Sequence, residues 1–154
     1  MDNDKVIDVL NDLIETCRDG EMGFKEASEN AKDRDLKQFF SDTAQQRAAF
    51  AGELQEHVRA LGGDPAKRGS VAGSMHRAWM NIKGTLSGKD DHAILSEAER
   101  GEDSAVKAYE ECLQQDLPQS VQRLAEVQYR EVLRIHSLVK QLRDSRAARA
   151  GQRT

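Results

Sequence analysis

The chain has 154 residues, 32% of them charged and 38% apolar, with a net charge of −4. This length suits one domain with a buried core, and so small a negative charge is not typical of a nucleic-acid-binding protein. Two prolines and an aromatic content of 5% favour helix throughout. No apolar run reaches the roughly 20 residues of a membrane span, and no secretory segment opens the sequence. We therefore expect a cytoplasmic, all-helical protein.

Two long helices are predicted first, over about 5–31 and 35–61. Their apolar residues recur at spacings of three and four, which is the period of a helix with one buried face. Asp2 or a neighbouring polar residue can cap the first helix. Gly62 and Gly63 are expected to end the second, and the following Pro65 prevents its continuation.

A linker over 64–69 then leads to a shorter predicted helix over about 70–86. A third long helix is predicted over about 90–115, with Asp90 or Asp91 as its cap. The fourth runs from Pro118 to about residue 144, since proline is well tolerated in a first helical turn.

The lengths of these segments predict an antiparallel four-helix bundle. Each long helix spans about 40 Å, and the short turns within each half make two hairpins. About 28 residues separate the hairpins, enough for a long crossover that contains a short fifth helix. This favours a ferritin-like topology, with helices two and three parallel, over a simple up-and-down bundle. The domain is predicted over 1–145.

The last residues, 146–154, are predicted to form a basic, disordered tail. Four arginines lie from position 143 onward against one acid, Asp144. A solvated tail is favoured over a polyanion contact, because no aromatic residues are interleaved for base stacking. Two cysteines, Cys17 and Cys112, lie in apolar helical patterns and are expected to be buried, reduced thiols.

A polar layer interrupts all four apolar stripes at the same height. Reflecting each hairpin across its turn aligns the interruptions, so that they are expected to meet at mid-bundle. The predicted layer comprises Glu21, Gln46, Arg47, Glu102, Gln128 and Glu131. Buried charges need partners, because an unpaired charge in a core is costly.

Three interpretations of this layer remain open. In the first, Arg47 forks to two of the carboxylates and the glutamines complete an ion-pair network. In the second, Glu21, Glu102 and Glu131 hold iron or manganese, as carboxylates do in di-metal bundles. Against it, no Glu-x-x-His occurs in the chain, and Arg47 puts a cation where a metal would sit. In the third, some of these residues point outward.

Several short segments resemble a known family. They are 10–15, 18–20, Gln46-Arg47 with Phe50 and 53–55, then 61–63, 69–70, Trp79, Glu99-Arg100-Gly101-Glu102-Asp103, Tyr109 and 142–144. In these the chain resembles a family of small bacterial four-helix-bundle proteins of unknown function, grouped with the ferritin-like superfamily. The resemblance implies a ferritin-like fold and no established reaction. The superfamily's Glu-x-x-His ligands have no counterpart here.

These observations lead to three hypotheses about function. The first is a non-enzymatic helical bundle without a cofactor, acting in stress or redox physiology through a protein partner or a homo-oligomer. The second is a diverged carboxylate-bridged protein that binds iron or manganese and has oxidase or iron-handling activity. The third is a bundle that binds a polyanion through its arginine-rich tail.

Overall fold

The computed structural model describes residues 2–65, 86 and 88–152, the last six of these by backbone alone. Over these residues the chain is helical and contains no strand. The four long helices are α1 (Asn3–Asn30), α2 (Arg34–Ala60), α3 (Asp91–Leu113) and α4 (Gln119–Gln152). The first three confirm the predicted helices to within two residues at each end. The predicted short helix over 70–86 lies outside the described residues apart from Leu86.

The helix ends follow the expected chemistry. The Asp2 carboxylate accepts a hydrogen bond from the Lys5 amide at 2.9 Å, and Asp90 accepts one from the Ala93 amide at 2.8 Å. At the end of α2, Gly62 has φ +83°, and the Gly63 amide donates back to the Val58 carbonyl. This is a Schellman motif, in which glycine supplies the left-handed conformation that other residues avoid.

Contacts between helix ends establish the topology. The Asp91 carboxylate, at the start of α3, accepts from the amides of Lys32 and Asp33 in the turn before α2. Helices α2 and α3 therefore begin at the same end of the bundle and run parallel. Because α2 ends at the opposite end, the last residue of α2 and the first residue of α3 lie a full bundle length apart. This is the connectivity of ferritin-like folds, and it confirms the predicted architecture.

The core consists of two apolar clusters, one above the other. The first includes Leu10, Leu54 and Tyr109, and the second includes Phe24, Phe40 and Ile94. Each cluster draws on all four helices, so one bundle encloses both. The boundary between them falls at the height where the four apolar stripes are interrupted, and this boundary positions the candidate site.

Helix α4 continues to Gln152, past the boundary predicted at residue 145. The disordered tail expected over 146–154 stays a prediction. Arg146 donates to Asp33 at 2.6 Å, and its other terminal nitrogen lies 3.8 Å from Asp91. These acids are distant in sequence, and they fix the end of α4 against the turn between α1 and α2. None of the helices described is long and apolar enough to cross a membrane.

Candidate functional site

An ion pair between α2 and α3 lies at the centre of the bundle. Arg47 Nη1 donates to Glu102 Oε1 at 2.5 Å, and Nη2 donates to Oε2 at 2.8 Å. The two residues are 1% and 0% exposed. The planar guanidinium matches the two carboxylate oxygens, which is the strongest geometry available to such a pair.

The residues around Arg47 give the guanidinium space and an aromatic face. Its Cζ atom lies 5.3 Å from the centroid of the Phe24 ring, within the range of a cation–π contact. On α1, a Cβ atom placed at Gly20 would lie 3.6 Å from Arg47 Cγ, so a side chain much larger than alanine would displace the arginine. Burial alone would lower the pKa of Arg47, but the charge and hydrogen bonds of Glu102 outweigh burial and raise it.

The layer extends from the ion pair toward α4. Arg47 Nε donates to Gln46 Oε1 at 3.4 Å, and Gln46 Nε2 donates to Glu131 Oε2 at 3.1 Å. Glu131 also accepts from Arg134 at 2.9 Å near the surface. The hydrogen bond from Arg134 is the main reason that the pKa of Glu131 is lowered. A continuous polar chain therefore joins the buried guanidinium to the exposed side of α4.

A second buried chain lies against the first apolar cluster. The Tyr109 hydroxyl donates to Gln128 Oε1 at 2.7 Å and lies 3.1 Å from Cys17 Sγ, while Gln128 Nε2 donates to the Phe50 carbonyl at 3.3 Å. Burial raises the pKa of the Cys17 thiol to about 11 and that of the Tyr109 hydroxyl well above its usual value. Both groups are therefore neutral near pH 7, and they serve as hydrogen-bonding groups of the core.

Of the six residues predicted for the layer, the structure joins four directly: Gln46, Arg47, Glu102 and Glu131. Gln128 is buried beside them in the chain of Tyr109. Glu21 is half-buried and is not among the described hydrogen bonds of the layer. The inward position on α1 is Gly20, one residue earlier. Sequence reasoning missed Cys17 and Tyr109 as hydrogen-bonding members of the core, because both side chains are largely apolar and lie at core spacing.

The carboxylates of the metal alternative do not form a metal site here. Both oxygens of Glu102 are occupied by Arg47, and Glu131 is held by Gln46 and Arg134. Within the described part of the chain, Glu21, Glu102 and Glu131 do not converge on a common point. The residues present therefore do not fit the di-metal centre of ferritin-like carboxylate proteins.

A separate polar cluster lies on the outer side of the seam between α3 and α4. It consists of Glu99, Asp103 and His136, whose nearest oxygen and nitrogen atoms all lie within 4.8 Å of one another. His136 Nε2 is 2.5 Å from Asp103 Oδ1, and Arg143 pairs with Glu99. None of these contacts was predicted, although Glu99 and Asp103 belong to a segment that carries the family resemblance.

A cavity of about 250 Å³ opens between α1 and α3 in the half of the bundle that holds the first apolar cluster. Its wall includes Leu13 and Cys112, with Asp12, Glu111 and Gln115 also lining it. Burial raises the pKa of Cys112 to about 12, and the charge of Asp12 acts in the same direction. The expected buried, unpaired thiols are confirmed for Cys17 and Cys112.

Residues 5–116 match the family described as a domain of unknown function, DUF2383. The chain belongs to the DUF2383 family. The match covers α1 to α3 and ends just before α4, so both partners of the buried ion pair lie within it. Among curated proteins, no match to the sequence is found.

Solved structures that resemble this DUF2383 chain include two Dps proteins of Mycobacterium smegmatis. A C-terminal deletion mutant of Dps superposes with a TM-score of 0.75 at 16% sequence identity, covering 90% of this chain and 98% of that one. A point mutant of Dps1 gives a TM-score of 0.71 at 17% identity, with 92% and 96% covered. At these identities the likeness establishes the ferritin-like fold and no shared chemistry.

Proposed function

We propose that this DUF2383 chain is a ferritin-like bundle in which an internal ion pair stands where a metal centre would be, and that it acts by protein association. The observation that carries the proposal is the bidentate contact between Arg47 and Glu102 at 1% and 0% exposure. A guanidinium at the centre of the bundle repels a second cation and occupies both oxygens of the Glu102 carboxylate. Over the described residues, the proposed layer then holds an ion pair in the place of a reaction centre.

Association is proposed to use the outer surface of α4. Among the described residues, the most exposed large apolar side chain is Val127, at 57%. Arg130 and Glu131 follow it by one helical turn, and Arg134 pairs with Glu131, so an apolar contact there would be bordered by charged side chains of both signs. A second bundle or another protein that covers Val127 would remove it from water. The proposed role is non-catalytic and consists of binding to a second bundle or to another protein.

Metal loading tests the first half of the proposal. The purified chain is incubated anaerobically with Fe²⁺ or Mn²⁺, desalted and analysed for bound metal beside the variant Glu102→Gln. Glu102→Gln leaves the buried charge of Arg47 unpaired, which can disturb folding. The double variant Arg47→Met, Glu102→Leu removes both charges and is therefore measured as well. We expect no metal whose binding depends on Glu102. Stoichiometric metal that both variants lose would overturn the proposal.

Sedimentation velocity over a range of concentrations tests the second half. We expect the parent chain to associate and Val127→Glu to shift it toward the monomer, because the new carboxylate places a charge in the covered surface. The matched control is Met22→Glu, which changes an exposed apolar residue on α1 that is 46% exposed. Equal association of parent and Val127→Glu would remove α4 as the contact surface.

A further inference from the structure

The seam between α3 and α4 carries a group of side chains that the ion-pair layer does not use. Glu99 and Asp103 are one helical turn apart on α3 and project from the same side of the helix. His136 faces them from α4, and the three donor atoms lie within 4.8 Å of one another. We propose that Glu99, Asp103 and His136 form a mononuclear binding site for a divalent transition-metal ion.

The three residues lie on helices that pack into the core of the bundle. Each lies directly beside a buried residue of the same helix: Ala98 precedes Glu99, Glu102 precedes Asp103, and Ile135 precedes His136. Donors placed on packed helices hold their positions better than donors on loops, so less order is lost when an ion binds. The Glu99 and His136 side chains are themselves mostly buried, 14% and 24% exposed, whereas that of Asp103 is 63% exposed. The ion would enter from the side of Asp103.

The donor set selects the class of ion. One imidazole nitrogen and two carboxylate oxygens suit Zn²⁺, Co²⁺, Fe²⁺ or Mn²⁺. Ca²⁺ and Mg²⁺ prefer oxygen donors alone and would gain nothing from His136. Three protein donors leave at least one coordination position for water, so the site is open rather than closed.

Arg143 is the cation that a metal must displace, because it pairs with Glu99. It has a second partner at hand. Its Nε and Nη2 atoms already donate to Asp144 Oδ1 at 3.2 and 3.0 Å. When Glu99 turns to the metal, Arg143 therefore keeps a carboxylate, and the cost of releasing it is limited. The metal and Arg143 compete for the Glu99 carboxylate, so removing Arg143 should strengthen metal binding.

The site differs from the polar layer at the centre of the bundle. Glu102 lies between Glu99 and Asp103 in sequence, yet its carboxylate is 0% exposed and bound to Arg47. The outer cluster lies on the adjacent face of α3, because Glu99 and Asp103 are turned about 60° and 100° away from Glu102 around the helix. Metal binding there neither requires Glu102 nor disturbs Arg47, so this proposal can fail or succeed independently of the proposed function.

The test titrates the full chain with Co²⁺, followed by visible absorption, and with Zn²⁺, followed by calorimetry. We expect one ion per chain, a Co²⁺ spectrum that indicates a nitrogen donor, and no response to Mg²⁺. His136→Ala should weaken Zn²⁺ binding by at least about tenfold, since even changes to groups that only support metal ligands cost this much. His92→Ala is the matched control, because His92 is exposed at the start of α3 and outside the cluster.

The variant Arg143→Gln separates a metal site from a cluster of ion pairs. It removes the competitor of the metal and should tighten Zn²⁺ binding, whereas a purely structural cluster would show no gain. Thermal unfolding of each metal-free variant checks that it is folded. The proposal is overturned by the absence of saturable binding, by equal affinity in His136→Ala, by an equal loss in His92→Ala, or by an Arg143→Gln variant that binds no more tightly than the parent.

Discussion

Both oxygens of the Glu102 carboxylate accept hydrogen bonds from Arg47, at 2.5 and 2.8 Å, and the pair is sealed from solvent. Removing two charges from water costs several kcal/mol each, and their attraction recovers this only when the geometry is good. Such a pair therefore adds little net stability over an apolar equivalent. The pair instead fixes the position of α3 along α2, because sliding α3 by one turn, about 5.4 Å, would separate the two charges.

Breaking this pair on one side should be far more damaging than replacing both partners. We expect Arg47→Met and Glu102→Leu each to lower the free energy of unfolding by about 3–5 kcal/mol, since each leaves one buried charge alone. The double variant should recover most of this loss. Urea unfolding followed by circular dichroism measures all three. Losses that simply add in the double variant would contradict a direct interaction.

The surface pair between Arg134 and Glu131 supplies the control for that cycle. Their side chains are 56% and 38% exposed. Exposed pairs of this kind contribute about 0–1 kcal/mol. Arg134→Met should therefore change the free energy of unfolding much less than Arg47→Met does, although both variants exchange arginine for methionine.

The hydroxyl of Tyr109 should contribute to the stability of the fold through its hydrogen bond to Gln128. Tyr109→Phe leaves the buried Gln128 Oε1 without its 2.7 Å donor, and we expect a loss of about 1–3 kcal/mol in the free energy of unfolding. The matched variant is Tyr129→Phe on α4. Tyr129 is partly exposed and bonds to Glu110, so water can replace that contact and the loss should be smaller. Equal losses in the two variants would argue against a special role for the buried chain.

Two glycines in and after α2 should respond to alanine in opposite directions. Gly52 lies inside the helix with no atom within 4 Å of an added Cβ, so Gly52→Ala should raise the free energy of unfolding by about 0.5–1 kcal/mol. Gly62 has φ +83°, which alanine disfavours, so Gly62→Ala should lower it by about 1 kcal/mol. Thermal unfolding of both variants checks the signs, and two changes of the same sign would be inconsistent with the helix ending at Ala60.

Alkaline pH should destabilise the fold through Cys17. Its thiol ionises near 9.0 without the fold and at about 11 within it, because burial opposes the thiolate. Between these values the folded chain retains more protons than the unfolded chain, so stability present below pH 9 is lost as the pH rises toward 11. Cys17→Ser cannot form a thiolate and should make this decline shallower, while Cys112 and Tyr109, whose pKa values are also raised by burial, keep their share of it. Urea unfolding at pH 8, 9, 10 and 11 measures it, and parallel profiles for parent and variant would show that other groups control the decline.

The sequence predicted the bundle and the height of its polar layer, because apolar periodicity and turn positions are local properties. It did not identify which of two neighbouring residues on α1 faces the core. Gly20 and Glu21 differ by about 100° around α1, and the structure turns Gly20 toward Arg47. Periodicity alone cannot resolve neighbouring positions when both are polar or small. A glycine opposite an arginine is the steric signal that would have chosen between them.

The cluster of Glu99, Asp103 and His136 was within reach of the same reasoning. Reflection across the second turn pairs Glu102 with Glu131, and it places Glu99 at the height of Arg134, two residues before His136. No Glu-x-x-His motif contains His136, so spacing along the sequence did not mark it as a ligand. The extension of α4 was a different matter. Arg146 is held by Asp33 and Asp91, and no local pattern reveals partners so distant in sequence.

The Asp91 carboxylate closes the turn between α1 and α2 from a helix that comes 58 residues later. Asp33, which occupies the capping position of α2, makes no capping bond of its own. The first hairpin therefore lacks this brace until the second has docked. In an isolated fragment containing α1 and α2, the turn would therefore be less stable than in the whole chain. Folding of the first hairpin is then coupled to docking of the second. Amide exchange at Lys32 and Asp33 would report directly on that docking.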